Sequence, residues 1–241
     1  MAREVDIAAL GELLIDFTEA GYSKDGMKLF EQNPGGAPAN LLTVASHMGY
    51  KTAFIGKVGT DMHGAFLKKT LQKEGIDTTA LIEDEHYFTT LAFVEIDENG
   101  ERNFSFARKP GADTQLRKEE LDAKETGALI SYDPNYRASL WKDETTAVET
   151  MKSVIPLADV MKVSDEESLL LTGAKSYEEA AEVLLSLGLK LVAITLGEDG
   201  VLVATKNGKE HVAGFHTNAI DTTGAGDSFW GGFLSRFLSL N

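Results

Sequence analysis

Apolar positions along this chain follow two rhythms. Short continuous runs at Val5–Leu10, Thr52–Val58, Asp159–Val163 and Leu189–Thr195 predict buried strands. Between them apolar residues recur at helical spacing. Leu41, Leu42, Val44, Ala45 and Met48 mark a helix over Ala37–Met48 that Gly49 ends, and Phe66, Leu67 and Leu71 mark another over Gly64–Glu74. Thr145–Ile155 and Tyr177–Leu187 read the same way. Leu13–Thr18 reads as extended chain, and Asn33-Pro34-Gly35-Gly36 as a turn. This β-α-β-α order implies an α/β fold with a mainly parallel sheet covered by helices.

The middle of the chain breaks the rhythm. Tyr87–Ile96 and Arg102–Ala107 are β-rich and joined by Asp97-Glu98-Asn99-Gly100, a hairpin signal that predicts a small separate sheet. Gln115–Gly127 reads as a charged helix leading almost directly into a strand at Leu129–Asp133. Gly200–Thr205 and Lys209–Gly214 predict a hairpin around Lys206-Asn207-Gly208. The last helix starts at Gly226 and carries Phe229, Trp230, Phe233, Leu234, Phe237 and Leu238.

Composition narrows the function classes. The 241 residues are 43% hydrophobic and 25% charged, as in ordinary globular proteins with a substantial core. No apolar run approaches the roughly 20 residues of a membrane span, and the N-terminal residues lack a signal-peptide pattern, so the expectation is a cytoplasmic protein with no membrane partner. There is no cysteine, which excludes disulfide and thiolate chemistry, and five scattered histidines argue against structural zinc. The net charge of −15 repels nucleic acid. An enzyme for anionic substrates would then have to gather cations locally.

The run Asp221-Thr222-Thr223-Gly224-Ala225-Gly226-Asp227-Ser228-Phe229 is the strongest chemical signal. Small residues feeding a helix N-terminus make an anion site, because free amides and the helix dipole both face the anion. Asp227 sits where such a site would normally avoid negative charge. One group holding an anion beside another that takes a proton suits phosphoryl transfer to a hydroxyl. The plainer alternative is a turn followed by a capping aspartate. A dinucleotide fingerprint fails because Phe229 replaces its third glycine, and no G-x-x-x-x-G-K-[ST] loop occurs. Polar or glycine residues recur after successive strands, at Gly11/Glu12, Gly59/Asp61, Asp133/Asn135/Arg137, Ser164/Glu167 and Thr195/Gly197. In open α/β sheets ligands bind at those carboxyl ends.

Gly11-Glu12-Leu13-Leu14-Ile15-Asp16, Asn33–Asn40 with its double glycine, Asp133-Pro134-Asn135-Tyr136-Arg137, Thr195-Leu196-Gly197 and Asp221–Phe229 together resemble the ribokinase-like sugar kinases, the PfkB carbohydrate kinases. Within that family the wording is most similar to bacterial fructokinases. The resemblance covers essentially the whole chain and implies a doubly wound α/β domain over residues 1–241. Its small β-sheet lid would be drawn from about 13–31 and 87–108. It implies ATP and Mg2+ as cofactors and a sugar as the other substrate. The one apolar face of the lid hairpin Tyr87–Ala107 makes a homodimer through the lid the expectation. By position, Asp227 would be the general base, with Gly224, Ala225 and Gly226 as the anion hole. Asp16, Gly35, Gly36, Asn40, Arg108 and Arg137 would bind the sugar. Thr195, Gly197, Gly224 and Gly226 would face the nucleotide, Glu167 would organise Mg2+ through water, and Asp221 and Thr223 would hold a monovalent cation such as K+.

Two departures accompany the resemblance. Ser164 stands where the family usually has Asn. Relatives also carry an extra strand and helix near 122–123 and further chain after 241, so segments are expected to be missing at both places. The expected reaction is phosphorylation of fructose. The alternatives are 2-keto-3-deoxygluconate as the acceptor, which would want cationic contacts from Arg108 or Arg137, and an inactive sugar-binding or regulatory relative.

Overall fold

The computed structural model describes residues 5–96, 102–120, 128–217, 222 and 224–240. In chain order the elements begin with β1 (Ile7–Leu10), β2 (Leu14–Tyr22), β3 (Lys28–Gly35), α1 (Ala37–His47), β4 (Thr52–Gly59) and α2 (Met62–Lys73). Next come β5 (Leu81–Asp84), β6 (Leu91–Ile96), β7 (Arg102–Ala107), β8 (Ser131–Tyr132), α3 (Glu144–Val154) and β9 (Val160–Ser164). The chain continues through α4 (Asp165–Thr172), α5 (Tyr177–Ser186), β10 (Leu191–Thr195), β11 (Val201–Thr205), β12 (Gly208–Val212) and α6 (Ala225–Leu238). They fall into two compact units, residues 1–122 with 222–241, and residues 123–221.

The first unit holds two sheets. A three-stranded parallel sheet has the order β1-β4-β5. A four-stranded sheet has the order β3-β2-β6-β7, with β2 and β6 parallel and the outer pairs antiparallel. The hairpin expected in mid-chain is the β6–β7 pair, and its turn at 97–100 lies outside the described residues. Leu13, Ile15, Leu42, Phe54, Val58 and Leu67 form the core between sheet and helices. β4 is covered on both faces, which is why it reads as an unbroken apolar run.

The second unit is built on one five-stranded sheet, β12-β11-β10-β9-β8. β8, β9 and β10 run parallel, and β11 and β12 return antiparallel as the predicted hairpin. Its own core gathers Met151, Ile155, Met161, Leu171, Leu184, Leu189 and Ile194.

Two expectations change. The predicted helix over Gln115–Gly127 is, in its described part, a pair of 3-10 turns at Ala112–Gln115 and Lys118–Glu120, and 121–127 lie outside the described residues. Lys57 Nζ accounts for this: it donates to Gln115 O (3.0 Å) and Glu120 Oε1 (2.7 Å), and also to Asp84 Oδ2 (3.2 Å). With its side chain only 1% exposed, the ammonium needs these partners, and it folds the segment around itself. The strand expected at Leu129–Asp133 shrinks to Ser131–Tyr132, because Ile130 instead bonds Asp159 and Val160 at the start of β9.

The starts of α1 and α2 in the first unit depend on carboxylates. Asp61 caps α2, Oδ1 accepting from His63 N (2.9 Å) and Gly64 N (3.0 Å), while Oδ2 accepts from Thr89 N (2.8 Å). Burial alone would raise its pKa, but the donors from Thr89, Gly64 and His63 outweigh it and hold the carboxyl below the usual value. A carboxyl depressed in the folded state adds stability above its unfolded pKa of about 3.9 and loses it as the pH falls through the folded value. Asparagine caps as well as aspartate. Asp61→Asn keeps one oxygen for the helix amides but turns its NH2 on the Thr89 N–H. It should therefore lower stability by roughly 1–3 kcal/mol at pH 7, and by less near pH 2, where the parent's carboxyl is protonated as well. Melting curves across pH check this, and a difference that persists undiminished at pH 2 would rule it out.

Candidate active site

α6 begins at Ala225 from a glycine, Gly224, in the left-handed conformation (φ 71°) with no side-chain cap. A Cβ there would also lie 2.9 Å from Asn40 Nδ2, so both the backbone and the close approach call for glycine. Asp227 lies in the first turn and is 9% exposed. Its Oδ2 accepts from Asn40 Nδ2 at 3.0 Å, and the positive end of the helix favours its charge.

The partner helix fixes this geometry. α1 and α6 pack so closely that a Cβ on Gly231 would meet Leu41 O at 2.5 Å. Tyr50 Oη donates to Ser235 O (2.6 Å), tying the far end of α6 to the chain after α1. A cavity of about 350 Å³ borders Asn40, Gly224 and Ser228. A larger hollow of about 650 Å³ beside Asp77–Leu81 lies away from this chemistry and gathers no comparable groups.

α1 itself starts at the double glycine. Gly36 has φ 121°, and a Cβ on it would lie 2.4 Å from Glu12 O. No side chain of its own loop caps α1. Instead Glu12 Oε1 accepts from Ala37 N at 2.9 Å. Burial pushes the Glu12 carboxyl up, partly offset by the Ala37 and Glu12 amides and by the Arg108 charge. Asp16 leans over Gly35, where a Cβ would lie 2.1 Å from its Oδ2. Asp16 also faces Asn33 across the β2/β3 ladder, and Asn33 Nδ2 donates to Thr18 Oγ1 at 2.8 Å.

Arg108 follows β7 directly. Its Nε donates to Asp113 Oδ2 at 2.8 Å, and Nη2 bonds the same oxygen. The Asp113 side chain is 1% exposed and takes a second bond on Oδ1 from Thr90 Oγ1 at 2.5 Å. The first unit thus brings together Asn40, Gly224 and Asp227, and separately sets Asp16, Gly35, Gly36 and Glu12 at one end of the β2/β3 ladder with Arg108 nearby. Sequence reasoning passed over Asp113. Its signal is an opposite charge five residues after Arg108, across a Pro-Gly turn.

Arg137, Glu167, Thr195 and Gly197 belong to the second unit. Glu167 closes a capping box on α4: Ser164 Oγ accepts from Glu167 N (3.1 Å), and Glu167 Oε2 accepts from Ser164 N (2.9 Å). Glu167 Oε1 accepts from Tyr136 N at 2.7 Å. Each oxygen keeps a lone pair for water, so a water-mediated metal fits this carboxylate. Serine at 164 does the capping work asparagine would do. Ser164→Ala should cost about 1 kcal/mol and Ser164→Asn only a few tenths. Urea melts that fail to separate the two variants would refute the cap.

Nearby, burial with the Asp133 and Glu167 charges pushes the Tyr132 hydroxyl up to about 12. Lys162 Nζ pairs with Asp133 at 2.8 Å. Arg137 is exposed and donates to Tyr136 O (2.9 Å) and Asn135 Oδ1 (3.3 Å). Thr195 ends β10 with its hydroxyl on Val163 O (3.3 Å), and Gly197 (φ 59°) opens the following turn with nothing within 4 Å of a Cβ. Asp221 and Thr223 lie outside the described residues. Among the described residues no group of three or more His, Cys, Asp or Glu side chains could hold a metal directly, and no helix is long and apolar enough to cross a membrane.

The model of the pfkB family carbohydrate kinases matches residues 5–129 and 121–240. Probable fructokinase-2 of Arabidopsis thaliana is 39% identical over 267 residues, covering 96% of this chain and 81% of that protein. Fructokinase-2 of Solanum lycopersicum has the same identity and coverage. The crystal structure of Vibrio cholerae O395 fructokinase with fructose, ADP and calcium ion bound matches with a TM-score of 0.86 at 33% identity, over 95% of this chain and 83% of that one. Xylella fastidiosa fructokinase with bound ATP gives 0.88 at 28% identity, over 98% and 82%.

Proposed function

Because this chain belongs to the pfkB family of carbohydrate kinases, we propose that it transfers the γ-phosphoryl group of ATP to the primary hydroxyl of D-fructose, giving fructose 6-phosphate and ADP. The observation that carries this reading is Asp227, buried in the first turn of α6 with Asn40 on its Oδ2. As the sugar oxygen attacks the γ-phosphorus, its proton passes to Asp227, and the bond to the leaving ADP oxygen breaks. The amides of Gly224 and Gly226 receive the charge that gathers on the phosphoryl oxygens, whereas the Ala225 amide, expected to join them, already donates to Thr222 O at 3.1 Å. The bond to Asn40 orients the carboxylate, and the Asn40 carbonyl oxygen would take a sugar hydroxyl.

Asp16, beside Gly35 and Gly36, would accept from further hydroxyls, with Arg108 and Arg137 as donors. Thr195 and Gly197 would line the nucleotide phosphates. Mg2+, held through water by Glu167, would neutralise phosphate charge when bound. K+ is assigned to Asp221 and Thr223, outside the described residues. The four-stranded sheet would serve as a lid that excludes water, the competing acceptor. Its exposed Tyr22, Met27, Leu29 and Phe30 would meet a second copy. Sedimentation at twice the chain mass checks that dimer, and a monomer at every concentration removes it.

The two family-model segments overlap at 121–129, and the Arabidopsis alignment is longer than this chain. Both support an internal segment near 122–123 that relatives have and this chain lacks. An intact mass equal to the 241 residues would confirm that the protein lacks the segment, and a larger mass would show that it carries it. The activity is tested by ADP formation with fructose, ribose, glucose and 2-keto-3-deoxygluconate. Turnover on none of them, or a preference for a sugar other than fructose, would overturn the assignment.

A further inference from the structure

We infer that Asp113 sets the charge class of the sugar: by holding Arg108 it cancels the guanidinium charge, so the site takes an uncharged sugar and rejects a sugar acid. The inference rests on the kinase reading of the same site and names its substrate class.

Strand register places the pair. Pro34, Ile15, Leu91 and Ala107 form one row across the β3-β2-β6-β7 sheet. One residue further along lie Gly35, Leu14, Thr90 and Arg108, and Ile15 N donates to Thr90 O at 3.1 Å within this region. Arg108 therefore leaves the sheet at the end that carries the double glycine. Asp16 leans over Gly35 there, Glu12 holds the start of α1, and the Arg108 charge reaches Glu12.

The contact is a built one. The Asp113 side chain is 1% exposed, against 21% for that of Arg108, so the carboxylate is the buried anchor and the guanidinium the more open partner. Thr90 fixes the other carboxylate oxygen at 2.5 Å. A Cβ on Gly111 would lie 2.0 Å from Thr90 Oγ1 and 2.8 Å from Asp113 Oδ1, so the turn closes this tightly only with glycine. A substrate carboxylate is gripped best by an arginine fork with two parallel donors. Here Asp113 already occupies Nε and Nη2. An incoming carboxylate would compete with it and face Glu12 and Asp16 besides, whereas a neutral hydroxyl needs only a single donor and meets no such repulsion.

The test uses the whole chain with D-fructose and 2-keto-3-deoxygluconate, reading binding by calorimetry and turnover by ADP formation. The parent should favour fructose. Asp113→Asn keeps the side-chain shape and removes one negative charge, and it should shift the ratio of affinities toward the acid by at least about tenfold. Glu12→Gln keeps an oxygen for Ala37 N–H and should shift it the same way by less. A merely structural role would weaken both sugars alike. An unchanged ratio in a folded Asp113→Asn protein overturns the inference. If that variant does not fold, an unchanged ratio in Glu12→Gln overturns it. A parent that binds the acid as tightly as fructose, or binds neither, also overturns it. A parent that binds fructose selectively but forms no ADP refutes the kinase reading while the binding ratio still decides this one.

Discussion

Asp227→Asn should lower kcat about 10³-fold while leaving fructose binding within a few-fold of the parent. General-base catalysis contributes roughly 10²- to 10⁴-fold, and an amide cannot take the proton of the attacking hydroxyl. The replacement is nearly isosteric. Its carbonyl oxygen can accept the Asn40 bond that Oδ2 now accepts at 3.0 Å, so α6 keeps its place. The lost charge at the helix start costs only about 0.5 kcal/mol of stability. The expected signature is therefore a fall in kcat with KM and melting temperature little changed, because the missing interaction exists only in the transition state. Steady-state kinetics with fructose, beside calorimetric sugar binding, reads both quantities. A kcat within tenfold of the parent would remove Asp227 as the base and leave it a helix cap.

Much of the framework could be read from local pattern. The helix expected over Ala37–Met48 is α1 (Ala37–His47), and the run Leu189–Thr195 holds β10 (Leu191–Thr195), since burial on one face or both writes a period into the sequence. The misses have a common origin in partners distant along the chain. Asn33-Pro34-Gly35-Gly36 reads as a turn, yet Pro34 lies within β3. That strand is the edge of its sheet, where a residue without an N–H is tolerated. β5 has four residues and pairs on one side only, too short a signal to stand out. Lys57 interrupts an apolar strand, and nothing nearby announces that Asp84 and Glu120 will meet it.

The candidate site divides the same way. Gly224, Asp227 and the double glycine were legible because strained turns and helix starts use few residue types. Glu12 capping α1 and Asp113 anchoring Arg108 were not, since each depends on which strands become neighbours. Asn40 was expected to hold sugar hydroxyls. Its bond to Asp227 adds a link that joins positions 187 residues apart, which no local pattern encodes.

That link makes the α1–α6 contact the place where packing controls chemistry, and Gly231 sits within it against Leu41. An alanine Cβ at 231 would lie 2.5 Å from Leu41 O and 3.2 Å from Val44 Cβ. The first neighbour is helix backbone, so relief requires the two helices to part by roughly 1 Å. Asn40 is carried by α1 and Asp227 by α6, so the same movement stretches their 3.0 Å bond and misplaces the base. Misplacement by about 1 Å can cost a factor of about 10² in rate. Gly231→Ala should therefore lower kcat by about that factor and destabilise the protein by about 1–2 kcal/mol, its overpacking outweighing the better helix propensity of alanine. Gly232→Ala is the control. It has nothing within 4 Å of its Cβ, so the propensity gain alone should raise stability by up to about 1 kcal/mol with kcat unchanged. Adjacent glycines of one helix would then respond in opposite directions to the same methyl group. Equal kinetics and equal melting temperatures for the two variants would show that the helix contact does not govern the base.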